Sequence, residues 1–161
     1  MTRLRHVIQA LRLLPRLAFA RQRALFVELR TFGRRLPAVL EQPLPQAMAE
    51  ITPEVGPSEW SADELREFAD VAALMDRDSP LALCLRRSLT RYRVLRQAGI
   101  PVVVQFGAKR AGARRTAPLT GHAWLTLDGA PYHEPDDRWV GFTPTYRYPP
   151  SADVPGTDRA E

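Results

Sequence analysis

A change of period at Gly99 limits this chain more than any other feature. Before it, apolar residues recur at helical spacing; after it, they fall in short β-branched or alternating runs. Ser61 followed by Glu64 is a capping box, which predicts a helix to about Met75 with Leu65, Phe68, Val71, Ala72 and Met75 inward. Ser79 as cap and Pro80 at the first helical position predict a second helix, ending near Ala98, where Gly99 stops it. Beyond lie Pro101–Gly107 (PVVVQFG), a polar loop over Lys109–Leu119, His122–Leu127 (HAWLTL) and a turn at Asp128-Gly129. A returning strand through Tyr132–Glu134 and a further one over Trp139–Phe142 complete the pattern. Helices first and an antiparallel sheet afterwards make an α+β domain.

The chain divides by composition into residues 1–57, an Arg-rich helical segment with a Pro-rich connection; 58–148, a mixed domain; and 149–161, a loose tail. In the first segment Val7, Ala10, Leu11 and Leu14, then Leu17, Ala18, Leu25, Leu29 and Phe32, mark two amphipathic helices joined at Pro15. Pro37, Pro43, Pro45, Pro53 and Pro57 forbid a long helix and suggest a wrapping connection.

Charge sharpens this division. Residues 1–35 carry nine arginines against Glu28 alone, whereas the rest holds 14 basic and 17 acidic groups, within a net charge of +5. The basicity therefore belongs to one segment, which argues against a general nucleic-acid-binding surface and makes the N-terminal helices a candidate docking surface for a partner. Arg12, Pro15 and Arg16 interrupt the early apolar stretch. No run reaches the roughly 18 apolar residues of a membrane span, so the expectation is a cytoplasmic protein without membrane contact. One cysteine excludes an internal disulfide, and with three histidines lacking ligand spacing no metal centre is expected. No cofactor is implied.

Three residues suit covalent acyl chemistry. Cys84 falls in the first turn or so of the predicted Ser79–Ala98 helix, where the positive end of the helix dipole favours a thiolate. His122, near the start of a strand, is the candidate general base; an acidic residue should orient it. Which acid does so depends on the hairpin. A three-residue loop, Leu127–Gly129, sets Glu134 opposite His122, whereas a two-residue loop sets Ala123 opposite Glu134 and His122 opposite Pro135. Glu134 is the first choice, with Asp136 and Asp128 behind it. Gln105 and Trp60 are candidate oxyanion donors, and Arg86 and Arg87 could pack or pair with carboxylates.

The ordered string Cys84-Leu85-Arg86-Arg87-Ser88-Leu89, Tyr92, Leu95, Gly99-Ile100-Pro101, Phe106-Gly107, Gly121-His122-Ala123-Trp124 and Asp128-Gly129 resembles the transglutaminase-like cysteine peptidases of lasso-peptide biosynthesis. The similarity covers about residues 58–148. It implies a papain-like core, with the nucleophile-bearing helix packed on an antiparallel sheet. It also implies Cys84 as nucleophile, His122 as base and then acid, and an acidic third member. That member is usually Asp, about a dozen residues past the histidine, where this chain has Glu134. The implied substrate is a precursor peptide whose leader is removed before macrocyclisation. The implied partners are a separate leader-binding protein, since residues 1–57 show no strand pattern of a fused one, and a macrocyclase. Two other functions remain compatible with these residues: acyl transfer to an amine, and a non-catalytic peptide-binding scaffold.

Overall fold

The computed structural model describes residues 18–112 and 116–150. The predicted helix before Pro15 and all but the first two residues of the predicted tail lie outside them. In chain order the elements are α1 (Ala20–Val39), α2 (Leu44–Ile51), α3 (Ala62–Met75), α4 (Leu83–Gln97), β1 (Val103–Arg110), β2 (Leu119–Leu127), β3 (Ala130–Pro131), α5 (Asp136–Trp139) and β4 (Thr143–Tyr148). The four strands form one antiparallel sheet in the order β3-β2-β1-β4. The expected α+β class, helices followed by an antiparallel sheet, is what the chain adopts.

Local chemistry accounts for most boundaries. At Ser61 the hydroxyl accepts from the Glu64 N–H at 3.3 Å, and the Glu64 carboxylate accepts from the Ser61 N–H at 3.0 Å, completing the capping box. Leu65, Phe68, Val71 and Ala72 are buried as expected, but Met75 is exposed at the frayed last turn. Helix α4 begins at Leu83, three residues later than predicted. Ser79 instead accepts from the Leu81 N–H at 3.4 Å in a local turn upstream. At the other end Gly99, with φ of +79°, provides the left-handed stop.

The N-terminal stretch departs further from expectation. Helix α1 runs through Pro37, which lies in its last turn and so removes only one late hydrogen bond. Burial of Leu36 and Val39 carries the helix past that point. Its buried stripe is Phe26, Leu29, Gly33, Leu36 and Val39, rotated from the predicted one so that Leu25 and Phe32 fall on the half-buried flank. Pro43 and Pro45 sit at the start of α2, where a missing N–H costs nothing, so the supposed connection contains a helix. Both helices share one apolar core with the later elements: Leu29, Leu36, Met48 and Ile51 meet Phe68, Leu89, Tyr92, Leu95, Val104 and Leu125. The Tyr92 hydroxyl and Thr52, 2.8 Å apart, join the end of α2 to the middle of α4.

In the sheet, β1 extends past Gly107 to Arg110 and β2 starts at Leu119, shortening the predicted polar loop. Asp128 and Gly129 both have positive φ, +51° and +80°, as a two-residue hairpin turn requires, and Thr126 pairs with Pro131 and Leu127 with Ala130. The two-residue register is therefore the one adopted. Trp139–Phe142 is not a strand; α5 ends at Trp139, and the last strand follows at Thr143 on the far side of β1. Among the described residues no helix is long and apolar enough to cross a membrane.

Candidate active site

Cys84 is the second residue of α4 and is half-buried. The late start of the helix places it nearer the helix N-terminus than the sequence suggested. The Arg86 N–H is the first to close a helical bond, to the Ala82 carbonyl at 3.1 Å, so the N–H groups of Cys84 and Leu85 have no intrahelical partner. No side chain caps this end of the helix. A cysteine sulfur with free backbone donors beside it is an arrangement that could hold an oxyanion intermediate.

His122 is the fourth residue of β2, opposite Gly107 on β1. Residues of β2 alternate between two faces. Ala123 and Leu125 belong to the face that carries the helical core, while His122, Trp124 and Thr126 share the other. Rings fix the imidazole from two sides. Trp124 stacks on it at 5.8 Å between centroids and 15° between planes, and Phe142 lies at 5.2 Å, tilted by 38°. Gly107 makes room for this packing, because a Cβ there would lie 2.8 Å from the Trp124 ring and 3.0 Å from the Thr143 carbonyl oxygen.

The helix of Cys84 and the strand of His122 are joined directly. β3 pairs only with Thr126 and Leu127, so it stops short of Ala123. There the Ser88 hydroxyl donates to the Ala123 carbonyl at 2.8 Å, fully buried. Ser88 stands one helical turn beyond Cys84 on the same face, an axial rise of about 6 Å, and Ala123 adjoins His122. Ser88 was recognisable as part of the motif; its link to β2 was not.

Burial pushes the His122 pKa below the usual histidine value, and the Arg87, Arg138 and Lys109 cations push it the same way. The imidazole is thus neutral at neutral pH and able to accept a proton. Its Nε2 is enclosed and has no hydrogen-bond partner. Lys109 holds its ammonium 4.2 Å from the centre of the Phe142 ring, extending the cationic surroundings of the site.

Glu134 is used differently from the sequence expectation. Its side chain is completely buried, with both oxygens accepting from Arg87 at 2.9 and 2.7 Å and Oε1 also from Arg91 at 3.3 Å. The two-residue turn puts Ala123, not His122, in the register opposite Glu134. Asp128 sits in the hairpin turn, six residues along β2 from His122, or about 20 Å at the rise of a strand; it is too far to orient the ring. Asp136 opens α5, two residues after Glu134.

Of the remaining candidates, Gln105 and Trp60 have ordinary partners. Gln105 donates to Thr126 at 3.4 Å, and Trp60 packs edge-on against Phe68 with centroids 6.0 Å apart. Arg86 is buried with its nearest guanidinium nitrogen 3.8 Å from Asp76. Sequence reading left out Phe142, which meets the imidazole from 20 positions away, and Asp70, whose carboxylate is paired with Arg91. Among the described residues no three His, Cys, Asp or Glu side chains gather as a metal ion would require.

The profile of the transglutaminase-like superfamily matches residues 10–147, taking in α1 and α2 as well as the cysteine helix and the sheet. Comparison with curated proteins and with solved structures gives no match. With that much of its length matched, this chain belongs to the transglutaminase-like superfamily.

Proposed function

We propose that the protein is a cysteine peptidase that removes the leader from a lasso-peptide precursor before a partner enzyme closes the ring. Members of the superfamily are generally cysteine peptidases or acyl transferases, so the chemical class rests on membership and the substrate on the motif string around Cys84 and His122. The observation that carries the reading is the Ser88–Ala123 hydrogen bond, which fastens the helix bearing Cys84 to the strand bearing His122.

In this reading neutral His122 accepts the Cys84 proton, and the sulfur attacks the carbonyl carbon of the scissile peptide bond. The oxygen becomes an oxyanion, for which the free N–H groups at the start of α4 are the available donors. As the intermediate collapses, the C–N bond breaks, and His122 returns the proton to the leaving amine. A thioester remains on Cys84. His122 then takes a proton from water, the hydroxide attacks the thioester, and the C–S bond breaks to release the acid and restore the thiol. Cationic Arg87, Arg138 and Lys109 around the imidazole suit a reaction in which negative charge develops. A separate leader-binding protein would present the peptide, and the exposed arginines of α1 are the surface proposed to meet it.

The test is mass analysis of a precursor peptide incubated with the protein, alone and with the leader-binding protein. Two fragments that together gain one water, absent with Cys84→Ala, support the peptidase. A product that has acquired an amine would make it an acyl transferase. Peptide binding without conversion, unchanged by Cys84→Ser, would make it a scaffold.

A further inference from the structure

One set of ionic groups meets the cleavage scheme only at Arg87. Arg91 on α4 grips Asp70 of α3 with two bonds, Nε to Oδ1 at 2.5 Å and Nη2 to Oδ2 at 2.7 Å. Its third nitrogen donates to Glu134 at 3.3 Å and to the His133 carbonyl at 3.4 Å. Glu134 in turn accepts twice from Arg87, one helical turn after Cys84. The side chains of Glu134, Arg91 and Asp70 are 0%, 3% and 6% exposed, against 20% for Arg87.

Such a chain is a weak source of stability, since desolvating four charges offsets most of their attraction. Its geometry is specific, however. It joins α3, α4 and the segment just after β3, at the point where His133 turns the backbone through a positive φ of +50°. That segment leads to α5 and on to Phe142, which packs on His122. The outer end of the chain is Arg87, on the nucleophile's own helix.

We propose that Glu134 is a positioning residue that acts through Arg87: the Asp70–Arg91–Glu134–Arg87 chain locks the post-hairpin segment onto α4 and fixes the Arg87 guanidinium one helical turn from Cys84. This rests on the reading of Cys84 and His122 as the reactive pair. It assigns Glu134 away from direct contact with the imidazole and gives Arg87 a task in setting the charge that the imidazole feels. The charged groups bearing on His122 are then Arg87 from α4, Arg138 from α5 and Lys109 from β1.

The experiment is NMR titration of the His122 ring protons, identified among three histidines by their loss in His122→Ala. The informative variant is Glu134→Gln with Arg87→Met. It removes one anion and one cation together and leaves the Asp70–Arg91 pair intact. If Glu134 acts through Arg87, losing the pair removes the nearer cation, and the His122 midpoint rises by about 0.5 pH unit or more. Arg87→Lys, which keeps the charge, retains the wild-type midpoint. If Glu134 instead holds the imidazole directly, the same double variant lowers the midpoint; that result, or no change, overturns the proposal. Should the double variant not fold, Glu134→Met with Arg87→Met fills the same space with apolar atoms and reads the same sign. The titration needs no substrate, so failure of the peptidase reading in the cleavage assay leaves it interpretable. Cleavage with a lowered midpoint would sink this proposal alone.

Discussion

The two faces of the β1–β2 ladder are built to different rules. On one, Val104 and Leu125 are completely enclosed against Leu89, Tyr92 and Leu95 of α4 and Phe68 of α3. These groups are apolar, and the one hydroxyl among them, that of Tyr92, has Thr52 as its partner. On the other, Gly107, His122 and Trp124 sit with Phe142, an enclosed Nε2 lacks a partner, and cations surround an imidazole that burial keeps neutral. The first face holds the fold, and the second carries the imidazole of the proposed reaction. If the division is real, substitutions on the two faces should fail in different assays.

The strongest contrast is His122→Ala against Phe68→Ala. Losing the general base should cut cleavage by about 10²–10⁴-fold and leave the melting temperature within a few degrees of wild type, since it removes a desolvated group. Losing the enclosed Phe68 ring should cost about 3–5 kcal/mol of stability, while whatever protein remains folded cleaves at the normal rate. Urea unfolding alongside single-turnover cleavage checks both. Loss of fold in His122→Ala would end the division of labour.

The ion chain spans both regions, so its central residue should matter to both. Arg91→Met leaves Asp70 buried without its cation while Glu134 keeps Arg87, and breaking a buried network in this way costs about 3–5 kcal/mol. Urea unfolding at pH 7 measures the loss. A variant as stable as wild type at pH 7 would show that Arg91 is dispensable to the fold.

How far these features were legible follows from the range over which each is decided. The Ser61–Glu64 box, the Gly99 stop and the period change are settled within a few residues, and they appear where the sequence puts them. Cys84 and His122 were recognisable through the ordered motifs around them. The use of Glu134 was not, because it turns on the difference between a two- and a three-residue loop, and both read Asp-Gly alike. The Pro-rich stretch misled because proline forbids a helix interior but favours a helix start, and Pro43 and Pro45 occupy the start. The last strand was displaced by four residues because Gly141, at φ of +83°, lets the chain turn after α5 before pairing with β1.

Acidity should separate the faces more gently. His122 has its pKa lowered by burial and by Arg87, Arg138 and Lys109, and His133 by burial and Arg66. A histidine with a lowered folded pKa binds its proton more readily when unfolded. Stability is therefore fully present above the unfolded value of about 6.5 and declines as the pH falls from there through the folded values. The rate should fall on the same side, because protonated His122 cannot accept from Cys84. The acid limb of kcat/KM is expected below pH 6.5, dropping tenfold per unit beneath its midpoint. A limb centred above 6.5 would mean that a carboxylate, and not the surrounding cations, dominates the imidazole.

The smallest expected effect falls on the bond that joins the two regions. Ser88→Ala removes the hydroxyl that donates to the Ala123 carbonyl and leaves a buried acceptor one donor short, at a cost of about 1 kcal/mol. On the core side nothing else changes, since Leu89, Tyr92 and Leu95 still pack. On the site side the consequence is larger than that energy suggests. Without the bond the first turn of α4 can shift against β2, and a displacement of about 1 Å between reacting groups costs roughly 10²-fold in rate. Ser88→Thr retains the donor and should restore most of the rate if its extra methyl is accommodated. A Ser88→Ala rate reduced no more than the stability would place the alignment of Cys84 and His122 under the control of the aromatic rings around the imidazole. Trp124 and Phe142 would then be the residues that hold the site together.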